Sequence, residues 1–226
     1  MGEYSQLGQD RYVLKLLGFP RYGFFLDSGA SDGISASNTY LLESGYGWRG
    51  ICVEPNASFY NALIKNRNTC CINCCLYDTE EKVDFVEAGT LGGVLDDYHP
   101  VLLAHAARIY SLPKDARGNP PSVLKPSRTI SSVLKQFKAP RVIDYWSLDT
   151  EGSELRILKS FPFDLYRVRV ITVEHNRYPV RMDIRRFLQG HGYVFVMDFG
   201  IDDCYVEAPL VAESLARRRL RKRRTA

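Results

Sequence analysis

Near the start of the chain, two carboxylates flank a glycine turn. Phe24-Phe25-Leu26-Asp27-Ser28-Gly29-Ala30-Ser31-Asp32-Gly33 reads as a short apolar strand that runs into a turn and then a helix. Gly29 leaves room for a ligand against the backbone, and Gly33 can take a positive φ. In a doubly wound sheet, the carboxyl end of such a strand is where ligands bind. A pyrophosphate site wants bare amide donors at a helix N-terminus, and Asp27 and Asp32 would repel one. The same acids suit a cationic or hydroxyl-bearing ligand, and S-adenosylmethionine offers a sulfonium, an ammonium and a ribose. Glu54, in Ile51-Cys52-Val53-Glu54-Pro55-Asn56, stands about 20 residues past the turn, the spacing of an acid that grips ribose hydroxyls at the next strand end. One carboxylate can accept both hydroxyl protons. The plainer alternatives are an ordinary strand-to-helix turn, and a Glu54 that only complements a helix N-terminus. A third strand end, from Asn73 through Cys74 and Cys75 to Leu76, is placed for an adenine ring.

A second constellation lies later in the chain. Asp149 closes an apolar strand and is followed by Thr150-Glu151-Gly152; Glu174 closes another and is followed by His175-Asn176. In a parallel sheet both strand ends open on the crevice that holds the glycine turn. Asp149, Glu174 and His175 are therefore expected together as a catalytic set. Such a set can position a hydroxyl nucleophile and take its proton as a base. His175 is the first choice, with an unperturbed pKa of about 6.5, and Asp149 the second. A divalent metal on Asp149, Glu174 and His175 is another route. The imidazole disfavours Mg²⁺ and is better tolerated by Mn²⁺. Structural ion pairing is the competing reading for Glu151 and Glu174.

Alternating extended and helical patterns must position these groups. Strands are expected at Phe24–Ser28, Gly50–Glu54, Thr69–Cys75, Val142–Leu148 and Val168–Glu174. Helices are expected at Ser5–Leu17, Ser37–Glu43, Ala57–Asn66, Ile130–Phe137, Ser153–Phe161 and Met182–Gln189. Ser5 is a candidate cap for the first helix. Lys82–Glu87 alternates as an exposed edge strand, and Tyr193–Met197 with Cys204–Val206 forms a terminal hairpin. This order argues for an α/β fold with a mainly parallel sheet covered on both faces. The stretch 89–125 breaks the rhythm and reads as a functional loop or insertion. Its His99 and His105 suit surface positions or acceptor contacts.

The composition bounds the rest. A chain of 226 residues with 45% hydrophobic content can bury a full core as one domain. No apolar run reaches membrane-span length, and there is no signal pattern, so a cytoplasmic location is expected. The net charge of +4 turns negative once the basic run between Arg217 and Arg224 is set aside. That tail, 217–226, reads as solvated and mobile, and no nucleic-acid partner is expected. Four of six cysteines cluster at Cys70, Cys71, Cys74 and Cys75. On one strand they would point alternately to opposite faces, which does not make a tetrahedral zinc site.

The chain resembles the FkbM-type methyltransferase family. The matching stretches are SQLGQD at Ser5–Asp10, FFLDSGASDGISASNTYLLE at Phe24–Glu43, GWRGICVEPN at Gly47–Asn56, WSLDTEGSELRILKS at Trp146–Ser160 and VEHN at Val173–Asn176. The resemblance implies a Rossmann-like class I methyltransferase fold, a three-layer sandwich with a seven-stranded, mostly parallel sheet whose last strand is antiparallel. It implies S-adenosylmethionine at Asp27, Gly29, Ala30 and Glu54, with Gln6, Gln9 and Asp10 closing over it. Asp32 departs from the commoner pattern, in which a glycine often stands there. The resemblance also implies O-methylation of a sugar or natural product, with a glycan hydroxyl the expected target. The stretch 89–125 matches no known motif and is the expected seat of acceptor choice. A non-catalytic relative that keeps the fold for binding and an NAD-type oxidoreductase are the rivals; the second wants a glycine pattern that Asp32 does not give. The chain opens almost on the first motif, so it is expected to be one domain of a longer protein, fused to or acting with glycosyltransferases.

Overall fold

A computed structural model describes residues 4–115 and 118–211. The basic run from Arg217 to Arg224 lies outside the described residues. Eleven strands and seven α-helices are described. The central sheet holds β1 (Phe24–Ser28), β2 (Arg49–Val53), β3 (Cys70–Ile72), β8 (Val142–Leu148), β9 (Arg167–Glu174), β10 (Tyr193–Asp198) and β11 (Asp202–Glu207). Its order is β10-β11-β9-β8-β1-β2-β3. β3, β2, β1, β8 and β9 run parallel, while β11 runs antiparallel to both β9 and β10. The fold is that of class I methyltransferases, with its last strand reversed and wedged inside the sheet edge.

The inner strands carry near-continuous apolar runs because both faces are covered. Phe25, Cys52, Tyr145 and Val170 pack on one face against α1 (Gln9–Leu17), α2 (Tyr40–Tyr46) and α3 (Ala57–Asn66), through Val13, Leu42 and Leu63. Their neighbours Leu26, Ile51, Trp146 and Ile171 pack on the other, against α5 (Ile130–Gln136), α6 (Glu154–Ser160) and α7 (Val180–Gly190), through Leu134, Ile157 and Leu188. The two-residue period of a strand thus divides one sheet between two cores.

Several expected elements differ. The strand expected at Thr69–Cys75 is broken: β3 ends at Ile72, and β4 (Cys75–Tyr77) joins a separate four-stranded sheet. The four clustered cysteines therefore do not share one strand. Cys52 and Cys71 face each other across β2 and β3, Cys70 is exposed, and Cys74 and Cys75 are buried. The second sheet has the order β4-β7-β5-β6, with β5 (Lys82–Val86), β6 (Gly93–Val94) and β7 (Val123–Thr129). β5 is thus paired on both sides rather than an edge. The stretch 89–125 is not irregular throughout, because its apolar run forms α4 (Pro100–Ile109), capped by His99 Nδ1 accepting from Val101 N at 3.3 Å. Ser5 does not cap α1. It donates to Asp10 Oδ1 at 2.7 Å, and Gly8, with φ 83°, precedes the helix. No helix among the described residues is long and apolar enough to cross a membrane.

Arg67, whose side chain is fully buried, fastens the glycine turn to this frame. Its Nε pairs with Glu43 Oε2 at 2.6 Å, and its other nitrogens donate to Gly33 O at 3.1 Å and Thr39 Oγ1 at 3.0 Å. Asp27 Oδ2 lies 3.9 Å away and accepts from Thr39 Oγ1. Removing a cation from buried carboxylates leaves them uncompensated, at a cost of about 3–5 kcal/mol. Arg67→Met is therefore expected to lower unfolding free energy by roughly that amount in a urea titration. A loss below about 1 kcal/mol would show that the network behaves as a solvated surface pair.

Candidate functional site

The carboxyl ends of β1, β2, β8 and β9 open on one crevice. Gly29 N and Ala30 N both donate to Val53 O at 3.0 Å, and Asp149 N donates to Ser28 O at 3.0 Å. Gly29 has φ 92°, and a Cβ there would lie 1.9 Å from Asp149 O. Only glycine fits between these two strand ends. Glu54 is held by the backbone: Oε2 accepts from Ser31 N at 2.8 Å and Oε1 from Asn56 N at 2.7 Å. Burial outweighs those bonds and pushes its pKa up to about 7. Asn73 Nδ2 ties down the same strand end, donating to Glu54 O at 2.7 Å and Pro55 O at 3.1 Å.

Facing Glu54 across the crevice is a cluster of acids. Carboxylate oxygens of Asp149, Glu154 and Glu174 lie within 4.8 Å of one another. Glu154 has its oxygens engaged by Thr150 N at 2.7 Å, Thr150 Oγ1 at 2.9 Å and Gly152 N at 3.1 Å, so it braces the Asp149–Gly152 turn. Glu151 adopts φ 60° at the top of that turn and accepts from Asn176 Nδ2 at 3.2 Å. Burial, with repulsion among neighbouring acids, raises Asp149 and Glu174 well above the usual carboxylate range and Glu151 to about 8. Such neighbours hold protons jointly rather than one by one. Asp202, at the start of β11, completes the acidic wall and accepts from Gln9 Nε2 at 2.7 Å.

The resulting cavity takes in many of the residues singled out from the sequence. Gln6 and Gln9 line it from the N-terminal segment, and Asp27, Gly29 and Ala30 from the first turn. Glu54 and Pro55 line it from the second strand end, Cys75 from β4, and Asp149 and Glu174 from the far side. Others are not brought to it. Asp32 is spent on its own turn, accepting from Ser35 Oγ at 2.7 Å, Ile34 N at 2.8 Å and Ser35 N at 2.7 Å, which together outweigh desolvation and lower its pKa. Gly33 lies against Leu63 and Arg67 instead. Asp10 accepts from Ser5 and Arg11 N, and Asn56 caps α3 through Ser58 N at 2.9 Å. Asn73 is an exposed clamp, and Cys74 belongs to the core under β8.

His175 is the largest difference from the expected arrangement. Side chains alternate along a strand, so a Glu174 that faces the crevice turns its successor away. His175 Nδ1 accepts from Arg177 N at 2.9 Å, and Nε2 lies 3.4 Å from Asp203 Oδ1, a carboxylate that Arg181 and Arg185 also hold. The expected trio of Asp149, Glu174 and His175 does not converge as base or metal ligands. Asn38, Phe59, Phe85, Leu91 and Asp202, none of them singled out in the sequence, also line the cavity, as does Glu151, for which only ion pairing was expected. Glu151 was visible in the Asp149-Thr150-Glu151 run, and strand alternation was the signal that could have replaced His175.

These raised carboxyls make stability depend on pH. Glu54 and Glu151 bind protons more tightly folded, at about 7 and about 8, than unfolded, near 4.3. Their contribution is full below the unfolded pKa and is lost as pH rises through the folded values. The melting temperature of the ligand-free protein is expected to fall between pH 5 and pH 9, and Glu151→Gln should flatten that fall. A profile that rises across this window, or is untouched by the substitution, would contradict the assignment.

A model of the FkbM methyltransferase domain matches residues 27–195. No curated protein matches the chain in sequence. Solved structures that match include the METTL16 MTase domain, at 12% identity and TM-score 0.51, over 90% of this chain and 67% of that one. A methyltransferase FkbM from Methylobacillus flagellatus KT aligns at 14% identity and TM-score 0.49, over 82% and 43% respectively. A precorrin-6y C5,15-methyltransferase from Geobacter metallireducens GS-15 aligns at 11% and 0.46, over 84% and 72%. At these identities the structural likeness concerns the fold alone. The family match covers most of the sheet and both halves of the acidic crevice, and the chain belongs to the FkbM methyltransferase family.

Proposed function

We propose that the protein transfers the methyl group of S-adenosylmethionine to a hydroxyl of a neutral, sugar-like acceptor. The observation that carries this reading is the charge of the crevice. Asp27, Glu54, Asp149, Glu151, Glu174 and Asp202 line it, and no lysine or arginine does among the described residues. Such a wall favours a cation and hydroxyl donors and disfavours phosphates. A nucleic-acid acceptor would need cations along its backbone, and a dinucleotide would need amide donors for its pyrophosphate. Glu54, fixed by two amides, fits a ribose diol.

S-adenosylmethionine supplies the methyl group and a sulfonium charge. The chain's own groups do the rest. Glu54 and the Gly29 turn fix the ribose end, and the Asp149–Glu174 pair faces the reacting centre. A cation beside that pair favours its ionised form, so one carboxylate can take the acceptor's hydroxyl proton. As the new O–CH₃ bond forms and the S–CH₃ bond breaks, the sulfonium charge disappears and the proton passes to the pair. The charges balance without a buried anion left behind. No step of the proposed mechanism needs a metal. Glu154 already spends its oxygens on the turn, and His175 does not line the crevice and is engaged by Arg177 N and Asp203. A glycan acceptor is made by glycosyl transfer, so the protein is proposed to act with glycosyltransferases.

Purified protein with labelled S-adenosylmethionine and a panel of methyl glycosides, read by mass spectrometry, tests this directly. Methyl groups are expected on sugar oxygens. Glu174→Gln should lower kcat by about 10²–10⁴, the range of a lost general base. Glu54→Gln should weaken S-adenosylhomocysteine by about tenfold or more in calorimetry. Turnover is expected to survive EDTA; loss in EDTA with recovery by Mg²⁺ or Mn²⁺ would give the acid cluster to a metal. Homocysteine-product binding without any methylated acceptor would favour a non-catalytic binding module.

A further inference from the structure

We infer that a second cavity, on the far side of Glu174, is the subsite that holds the acceptor's sugar ring. This rests on the reading of a sugar hydroxyl as the methyl acceptor. The cavity measures about 320 Å³ and is walled by Tyr98, His99 and Leu102 from the start of α4, and by Tyr178 from the segment after β9. Glu174 and Asn176 line both this cavity and the first one. The two spaces therefore share the wall formed by the residue assigned to proton transfer. A ring seated in the second can present one hydroxyl to the first.

The walls match that ligand in three respects. The rings of His99 and Tyr178 stack at 3.7 Å with an 11° tilt, a paired aromatic surface against which the C–H face of a pyranose can pack. Glu174 and Asn176 supply an acceptor and an amide for ring hydroxyls. No lysine or arginine lines the cavity among the described residues, so an anionic or phosphorylated ring has no counter-charge. Desolvation, with the nearby charges of Glu151 and Glu174, raises the Tyr98 and Tyr178 hydroxyls. The Tyr98 hydroxyl is spent on Leu91 O, which leaves the protonated Tyr178 hydroxyl as the phenol that can donate to a ligand. Gly152 permits this arrangement, because a Cβ there would lie 2.5 Å from Asp97 O just before α4. The stretch 89–125 thus borders the second cavity through the Asp97–Gly152 approach and the His99–Tyr178 stack, among its other contacts with the Glu151 turn.

The test uses methyl glycosides as probes and the protein loaded with S-adenosylhomocysteine for binding, or S-adenosylmethionine for turnover. Tyr178→Ala empties the aromatic wall and Leu102→Trp fills the cavity. Both variants should keep S-adenosylhomocysteine affinity, which also reports that they fold. Each is expected to weaken glycoside binding, read by saturation-transfer NMR, and to raise the glycoside KM by about tenfold or more with a much smaller change in kcat. If glycosides are methylated and neither variant moves KM, the subsite is overturned while the methyltransfer reading stands. If glycosides bind, and lose binding in both variants, but receive no methyl group, the subsite stands and that reading falls. Failure of every glycoside to bind the wild-type protein overturns the subsite.

Discussion

The organisation of this protein turns on desolvated carboxylates that, among the described residues, have no cation of their own. Asp149, Glu151 and Glu174 sit at the ends of two central strands, and burial raises all three. Elsewhere the chain neutralises its buried acids carefully. Arg67 serves Asp27 and Glu43, and Arg181 and Arg185 serve Asp203, which is held well below the usual range. Leaving the crevice without such partners costs stability, and a fold tolerates that where a ligand brings the missing charge. The positive ligand of a methyltransferase supplies it.

The backbone holds these acids close by near-contacts that side chains would forbid. Gly29 lies against Asp149, and Gly152 against Asp97. A Cβ at Gly93 would lie 3.1 Å from Glu151 O. The first contact locks two parallel strands of the main sheet at their ends. The other two bring the four-stranded sheet and its helix up to the turn that carries Glu151. Glu154, accepting three bonds from Thr150 and Gly152, fixes that turn from within. One run, Asp149-Thr150-Glu151-Gly152-Ser153-Glu154, therefore supplies the acids, the close approach and the brace.

Much of the main sheet was legible because its strands are buried on both faces and read as apolar runs. Phe24–Ser28 and Val142–Leu148 have the expected bounds, as does the helix Ala57–Asn66. The Thr69–Cys75 run misled because its composition stays apolar across a change of sheet; Asn73, which clamps the neighbouring strand end, marks the break. In the crevice, Glu54 was legible from its spacing and Asp149 and Glu174 from their strand ends. Asp32 and His175 were not, since a residue type says nothing of local bonds that occupy it. Asp32 is consumed by the amides of its own turn. His175 is reversed by strand parity. Pocket walls contributed from 85–94 depend on how the second sheet docks, and no local pattern encodes that.

The acidic wall also bears on how the reaction can turn over. On the proposed mechanism, an ionised Asp149–Glu174 pair is compensated while the cation is bound; once the methyl group has moved, the ligand is neutral and the pair has regained a proton. The attraction that drew the ligand in is then gone from both partners at once. A site built on fixed arginines could not do this, because its charge would not follow the chemistry. Carboxyls with raised pKa values can, since their ionisation is set by whatever lies beside them. On that mechanism, the same property that makes the crevice costly in the empty protein would give it different affinities for the ligand before and after transfer.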